Sequence, residues 1–441
     1  MEANACLKAD LVAMLLEFRV QNHRSILEEQ VLSFEPSERG DRTPLHAVAI
    51  YGANASGKSN VLSALTFMRS AVLGSHRRWD PEDGIPRDPF AWPASPSPDS
   101  LFEVTFTVDG TRYDYGFVAS DQCFVEEWLY AWPRNRRQKW FTRDHDEFRF
   151  SGDYFKGENE IVKQVTRPNA LFLSVAAQHN HHQLTRIYKW FRDIHPVGIP
   201  TSRWGRALVG GPPPDYWFRN LLAHSVPSNQ MSLFGSDGNS PLSRLRDLLQ
   251  AADIGITDIK VERDADTSYS STARSRLRVY LRHRHPEKEA WLPLEQESHG
   301  TQTLLRMASP ILGTLQRGGL LVIDELEASL HPLLAQHIVK QFSNPETNRA
   351  NGQLLFTTHD TNLLGSTIAS PVLRRDQVWL TEKNDSGATC LYPLSDYKPR
   401  KAENLERGYL QGRYGAIPFL GDLGARAPAR SLEESREGKD S

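Results

Sequence analysis

Residues 52–59 read Gly-Ala-Asn-Ala-Ser-Gly-Lys-Ser, between an apolar run at 46–51 (HAVAIY) and an amphipathic stretch from 59 to 72. The run is short and continuously apolar, which suits a buried strand of a mostly parallel sheet. After it, Val61, Leu62, Leu65, Met68 and Val72 recur at three- and four-residue steps, the spacing of one helix face. A G-x-x-x-x-G-K-S segment between such a strand and such a helix is a phosphate-binding loop. Its glycines let the backbone curl so that successive N–H groups converge on an anion, and the helix N-terminus adds partial positive charge. Gly52, Ala53, Asn54, Ala55, Ser56, Gly57, Lys58, Ser59 and Asn60 are therefore expected around the phosphates of ATP. Lys58 has the length to reach the β- and γ-phosphates, and the Ser59 hydroxyl is a ligand for Mg2+.

The second half of such a site lies far along the chain. Residues 319–325 (GLLVIDE) form an apolar strand that ends in Asp324 and Glu325. Asp324 is expected to hold Mg2+, and Glu325 to polarise the attacking water as a general base. A further strand at 353–357 ends in Thr-Thr-His-Asp, which brings His359 toward a γ-phosphate as a sensor that also holds the water. Lys58, Glu325 and His359 are the expected catalytic side chains.

Outward from these segments, residues 14–20 read as a strand and 101–118 as a hairpin turning at Asp109-Gly110. A β-rich stretch runs to Phe150, and 170–177 reads as another apolar strand. A helix near 184–194, loops at 209–214 and 226–240, a helix at 241–252 and strands near 256–263 and 276–282 follow. Helices at 299–316 and 331–342 and a hairpin at 376–394 complete the pattern. The expected class is α/β: a P-loop parallel sheet, an antiparallel β subdomain and an inserted helical or mixed arm. The expected division is an N-terminal lobe at 14–178, an insertion at 179–290, a C-terminal lobe at 291–420 and a disordered tail at 421–441.

Bulk properties narrow the function. The 441 residues carry a net charge of −2, so the chain is not a globally basic nucleic-acid binder. Cys6, Cys123 and Cys390 have no paired spacing and read as reduced thiols of a cytoplasmic protein. No run of about 18 apolar residues suggests a membrane span. No N-K-x-D segment for guanine is present, which disfavours a GTPase.

A P-loop near the N-terminus, a late Asp-Glu strand and a following Thr-Thr-His resemble the ATP-binding-cassette (ABC) ATPases, and within them the SMC/RecF-type branch. The opening FRVQNHRSI at 18–26 is similar to that branch's start, with His23 in place of the usual Phe. YGANASGKSN, LFLSVAAQ, VIDELEASLHP, FTTHD and GRYGAIP more narrowly resemble bacterial AAA family ATPases of the OLD-like and RloC-like group, many encoded in phage-defence modules. The resemblance implies an ABC-ATPase head and further site residues. Gln178 matches the Q-loop of the Mg2+ shell. Ser298 and Gly300 occupy the place of the ABC signature, from which His299 and Thr301 depart. Residues 328–332 match the D-loop, and Arg24 the early nucleotide-packing arginine. The signature of one subunit would complete the P-loop site of another, so ATP would close a homodimer or higher oligomer and hydrolysis would open it. The implied role is control of a separate effector in antiviral defence. The alternative is a RecF-like repair or recombination ATPase acting directly on DNA. A scaffold with structural ATP is a third reading, against which the intact Glu325 argues.

Arg276, Arg278 and Arg282 alternate with Leu277, Val279 and Leu281, so a strand would align them as a track for nucleic acid or as a solvated sheet face. Arg134, Arg136, Arg137, Lys139 and Trp140 form a second basic-aromatic cluster, readable also as a hairpin tip. His179, His181, His182 and His195 lack the partners of a metal set. Asp264 and Asp266 are not expected to form a nuclease. Tyr409, Arg413 and Tyr414 read equally as a docking tail or a packed segment.

Overall fold

The computed structural model describes residues 13–37, 43–92, 98–199, 245, 255–263, 277–284, 290–328, 330–365, 371–397 and 403–418. In chain order come β1 (Met14–Gln21), β2 (Gln30–Ser33), β3 (Ala47–Gly52) and α1 (Lys58–Gly74). Then follow β4 (Ser100–Val108), β5 (Thr111–Ala119), β6 (Phe124–Trp132), β7 (Gln138–Asp144) and β8 (Glu147–Phe150). Three helices, α2 (Asn159–Gln164), α3 (Phe172–Gln178) and α4 (Leu184–Arg192), lead to β9 (Ile194–Val197). Next are β10 (Ile256–Arg263), β11 (Leu277–His283) and β12 (Ala290–Pro293). The last part holds α5 (His299–Arg317), β13 (Leu320–Ile323), α6 (Pro332–Ser343), β14 (Gln353–Thr357), β15 (Val378–Lys383), β16 (Thr389–Pro393) and α7 (Leu405–Leu410).

The core sheet has the order β16-β15-β3-β14-β13-β9. Its pairs are parallel except for the β15–β16 hairpin at one edge. Strand β3 shows why the run 46–51 is apolar at every position. Val48 and Ile50 enter a core shared with α1, α3, α4 and the antiparallel sheet, whereas Ala47, Ala49 and Tyr51 enter one shared with α5, α6 and α7. Both faces are covered, so the period-two alternation leaves no polar side. Because β14 lies between β3 and β13, the ends of these three strands place the P-loop, Asp324 and His359 at one edge, where open α/β sheets bind ligands.

The second sheet, β2-β1-β4-β5-β6-β7-β8, is antiparallel throughout. Its β4–β5 turn is the expected Asp109-Gly110, with φ of 49° and 71°, the left-handed pair that a two-residue hairpin needs. The third sheet is β10-β11-β12.

Two expectations change. Residues 170–177 do not form a strand; they carry helix α3. The Glu127 carboxylate accepts the N–H groups of Phe172 (2.7 Å) and Leu173 (3.0 Å), satisfying two donors at the helix start that have no partner within the helix. The insertion does not begin at 179, because α4 packs in the first core and β9 is the parallel edge strand beside β13. The expected hairpin at 376–394 is present as β15–β16 and joins the core sheet, since β15 pairs with β3. The loops at 209–214 and 226–240, the helix at 241–252 apart from Leu245, Arg276, Asp264, Asp266, Ser329 and the tail at 421–441 lie outside the described residues. Among the described residues no helix is long and apolar enough to cross a membrane.

Candidate active site

The P-loop is held from behind by hydroxyl groups on three other segments. Ser56 Oγ lies 2.7 Å from Thr381 Oγ1, and Thr389 Oγ1 donates to the Ser56 carbonyl at 2.9 Å. Ser25 Oγ sits 2.7 Å from Thr389 Oγ1 and accepts from Asn60 Nδ2 at 2.6 Å. The glycines are required by this closeness. Gly57 has φ of 108°, and a Cβ there would collide with Thr389 and Ser25; at Gly52 it would meet Thr381. Between them Ala55 takes φ of 62°, a strained turn for a residue with a Cβ.

Inside the loop, Lys58 Nζ donates to the carbonyls of Gly52 (2.9 Å) and Ala53 (3.1 Å). Burial pulls its ammonium below the usual lysine range, against the opposing pull of Asp324, Glu325 and Glu327. The next residue, Ser59, donates its hydroxyl to Asp324 Oδ1 at 3.0 Å, so residues 265 positions apart present two hard oxygens side by side. This donor set suits Mg2+, which takes few protein oxygens and keeps waters. Thr357 Oγ1 donates to the same carboxylate oxygen at 2.7 Å and accepts the Glu325 N–H at 2.7 Å. One hydroxyl at the end of β14 therefore fixes both carboxylate residues at the end of β13. Glu325 has φ of 54° and an exposed side chain, a strained backbone that presents a carboxylate outward.

His359 also faces outward, and its backbone N–H donates to Glu327 Oε1 at 2.5 Å. Partial burial and the Lys58 charge hold its imidazole below the ordinary 6.5, although three carboxylates oppose the shift. A neutral ring can accept a hydrogen bond from water or donate one to a phosphate oxygen. His23, at the position where the resembling branch has Phe, is buried against Phe67 and Phe102 with centroid distances of 6.0 and 5.7 Å. Its Nε2 lies 3.1 Å from Ser63 Oγ on α1, so the ring serves the same packing as an aromatic residue.

Arg24 lies beside this group, one residue before Ser25. Its Nε is 3.3 Å from Asp88 Oδ2 and its N–H donates to the Asp88 carbonyl. Gln178 does not belong to the site. Its Nε2 donates to Tyr188 Oη (3.2 Å), which donates to the Leu73 carbonyl (3.3 Å) near the far end of α1. That end is roughly 20 Å from Lys58 at the rise of an α-helix, so Gln178 cannot join a metal held by Ser59 and Asp324. The helical state of 172–178 is the cause: a strand would have carried Gln178 elsewhere. Ser298 caps α5, accepting the Thr301 N–H at 3.1 Å, and Ser298 and His299 are exposed. The bonds of Gln302 run back to Glu295 and Glu297, so this turn is built locally.

The arginine track is less basic than its sequence. The register sets Arg278 opposite Glu262 and Arg282 opposite the buried Asp258. The histidines scatter too. His181 bonds Asn159 and stacks on Phe155, while His195 lies on β9, where burial pulls it down to about 4. Among the described residues no group of three or more metal-ligating side chains is found. Sequence reading passed over Thr357, Ser25, Thr381 and Thr389. For Thr357 a signal existed in the Thr-Thr-His-Asp ending of its strand; the others become visible only where the chain returns to the loop.

No curated protein matches the chain. Among solved structures it is similar to the SMC head domain from Thermotoga maritima, at 12% identity and a TM-score of 0.37, covering 86% of this chain and 98% of that one. A second is an SMC head bound to the C-winged helix domain of ScpA, at 12% and 0.44, covering 87% and 99%. A third is an Smc head domain with an extended coiled coil bound to the C-terminal domain of ScpA derived from Pyrococcus furiosus, at 11% and 0.39, covering 91% and 99%. The family described as "AAA domain, putative AbiEii toxin, Type IV TA system" matches residues 47–365. That span runs from the P-loop strand past His359, well over half of the 441 residues. The chain belongs to this AAA family of nucleotide-binding domains.

Proposed function

We propose that this AAA domain hydrolyses Mg-ATP, closes against a second copy when ATP binds, and thereby controls a separate effector in antiviral defence. The observation that carries the hydrolysis is the group Ser59–Asp324–Thr357–Glu325 beside the P-loop. Ser59 and Asp324 would hold Mg2+, Lys58 would leave the Gly52 and Ala53 carbonyls for the phosphates, and Glu325 would orient water for in-line attack. His359 would read the γ-phosphate. Closure is supported by exposure: Glu325, His359 and the Ser298 turn all face solvent in a single chain. A carboxylate open to water is a poor base until a lid excludes solvent, and the signature turn of a second head would supply that lid together with helix N–H groups. The defence role rests on the family's description as a toxin of a toxin–antitoxin system and on the resemblance to phage-defence ATPases.

The test is the native mass of Glu325→Gln with and without Mg-ATP. Doubling on ATP supports closure. A monomer that holds ATP without changing mass would remove the shared site.

A second reading, direct action on nucleic acid, is favoured by one observation. At the β6–β7 tip, Arg134, Arg136, Arg137 and Lys139 are exposed, and Arg137 stacks over Tyr130 at 4.0 Å. Salt-sensitive DNA binding abolished by Arg136→Glu with Arg137→Glu would support it. Binding untouched by that double change would discard the tip.

A further inference from the structure

The C-terminal segment packs against the root of the P-loop. Tyr409 on α7 is buried and meets Tyr51 edge-on, with ring centroids 5.6 Å apart. Tyr51 is the last residue before Gly52, and its hydroxyl donates to the Asp360 carbonyl at 2.9 Å. One turn of α7 away, Glu406 accepts the Thr361 hydroxyl at 3.0 Å. Asp360 and Thr361 directly follow His359. Helix α7 thus touches two parts of the site, the root of the phosphate loop on one side and the turn that follows His359 on the other.

The segment beyond α7 locks this arrangement. Tyr409 Oη donates to the Ala416 carbonyl (3.2 Å), and Tyr392 Oη donates to the Tyr414 carbonyl (3.0 Å). Ala416 N–H donates to Glu382 at 3.4 Å. Gly415 has φ of 69° and no room for a Cβ against Glu382 and Tyr392, while Gly408 abuts the Tyr414 ring. The motif GRYGAIP is therefore a fastening.

We infer that α7 is a positioning element for hydrolysis, with Tyr409 setting the P-loop root and Glu406 setting the turn that aims His359. The inference rests on the ATPase reading but has a binding arm that does not need turnover. Without Glu406, the Asp360–Thr361 turn loses its tie to α7, and the aim of the adjoining His359 side chain slackens although its backbone N–H stays on Glu327. A displacement of this kind costs turnover far more than affinity.

The experiment uses the full chain. Glu406→Ala and Thr361→Val are each expected to lower kcat about tenfold with the ATP Kd nearly unchanged. The double variant should be no worse than either, because both remove one bond. Tyr409→Phe keeps the ring against Tyr51 but loses the bond to the Ala416 carbonyl, and is expected to weaken Mg-ATP binding about fivefold by unfastening the segment behind the P-loop root. Unchanged kcat in Glu406→Ala and Thr361→Val, additive losses, or losses that follow the melting temperature would overturn the inference. A wild-type chain that binds ATP without turnover would sink the ATPase reading instead. Tyr409→Phe binding as tightly as that chain would then overturn the clamp as well.

Discussion

At the scale of single residues the site is organised by short hydroxyl side chains rather than by its carboxylates alone. Thr357 holds Asp324 and the backbone of Glu325 at once, so its loss should loosen the proposed metal ligand and the proposed base together. Thr357→Val has nearly the same shape, and its expected effect is a fall in kcat of about 10- to 100-fold, the usual cost of removing a partner that orients a metal ligand. Steady-state turnover at saturating Mg-ATP measures it; an unchanged kcat would mean that the carboxylates orient themselves. Two histidines, His23 buried and His195 half-buried, set an acid limit. Burial pulls His23 down to about 3, and His195 to about 4, from an ordinary 6.5. Above pH 6.5 both rings are neutral in either state. Below it the unfolded chain takes up protons that the folded chain refuses, so stability is full above 6.5 and falls as pH drops toward 4 and 3. Thermal melts from pH 7 to 4.5 should show this decline, and His23→Phe, which keeps the contacts with Phe67 and Phe102, should flatten it. The same slope in both proteins would place the acid sensitivity elsewhere.

At the scale of elements, the deciding forces differ between those that the sequence exposes and those that it hides. β3, the P-loop and α1 are contiguous, and each reads correctly because its partners are local: apolar run, glycines, helical face. Strands β13 and β14 read correctly for the same reason. Residues 170–177 are apolar in every direction, a pattern that a buried strand and a buried helix share. What decides between them is Glu127, 45 residues away from Phe172, whose carboxylate takes the first N–H groups of α3. The error at Gln178 follows from that one, because the strand was what would have carried it to the metal. Glu127 sits fully buried, 3.9 Å from Arg143, with Tyr115 donating to it at 3.0 Å. Burial pushes its carboxyl up, while Arg143 and the hydrogen bonds pull it down. Glu127→Gln would point an amide N–H at the donors of Phe172, Leu173 or Tyr115 and remove the carboxylate charge that faces Arg143. The expected cost is about 3 kcal/mol, as for other broken buried pairs. Denaturant unfolding checks it, and a loss below 1 kcal/mol would show that α3 forms without this cap.

At the scale of the whole molecule, the nucleotide edge of the core sheet is unfinished. Glu325, His359, Ser298 and His299 are exposed, and Leu333, at the start of α6 after the D-loop segment, is 67% exposed. In a single copy the proposed base therefore stands in water, and the Ser298 turn faces solvent as well. If two copies complete each other, their defects should complement in a predictable way. Glu325→Gln removes the base but keeps the signature turn; Ser298→Arg blocks the turn but keeps the base. Each protein alone should be nearly inactive. In a mixed dimer one site carries both defects and the other carries neither. Equal mixing leaves about half of the dimers mixed, each with one intact site, so activity should recover to about a quarter of wild type. The recovery must grow with total concentration, since it depends on association. Titrating one variant into the other, with ATP turnover as the readout, tests the mechanism without any knowledge of the effector. Activity that remains at the sum of the two parents would mean that each head works alone, and the Ser298 turn would then lose its assignment.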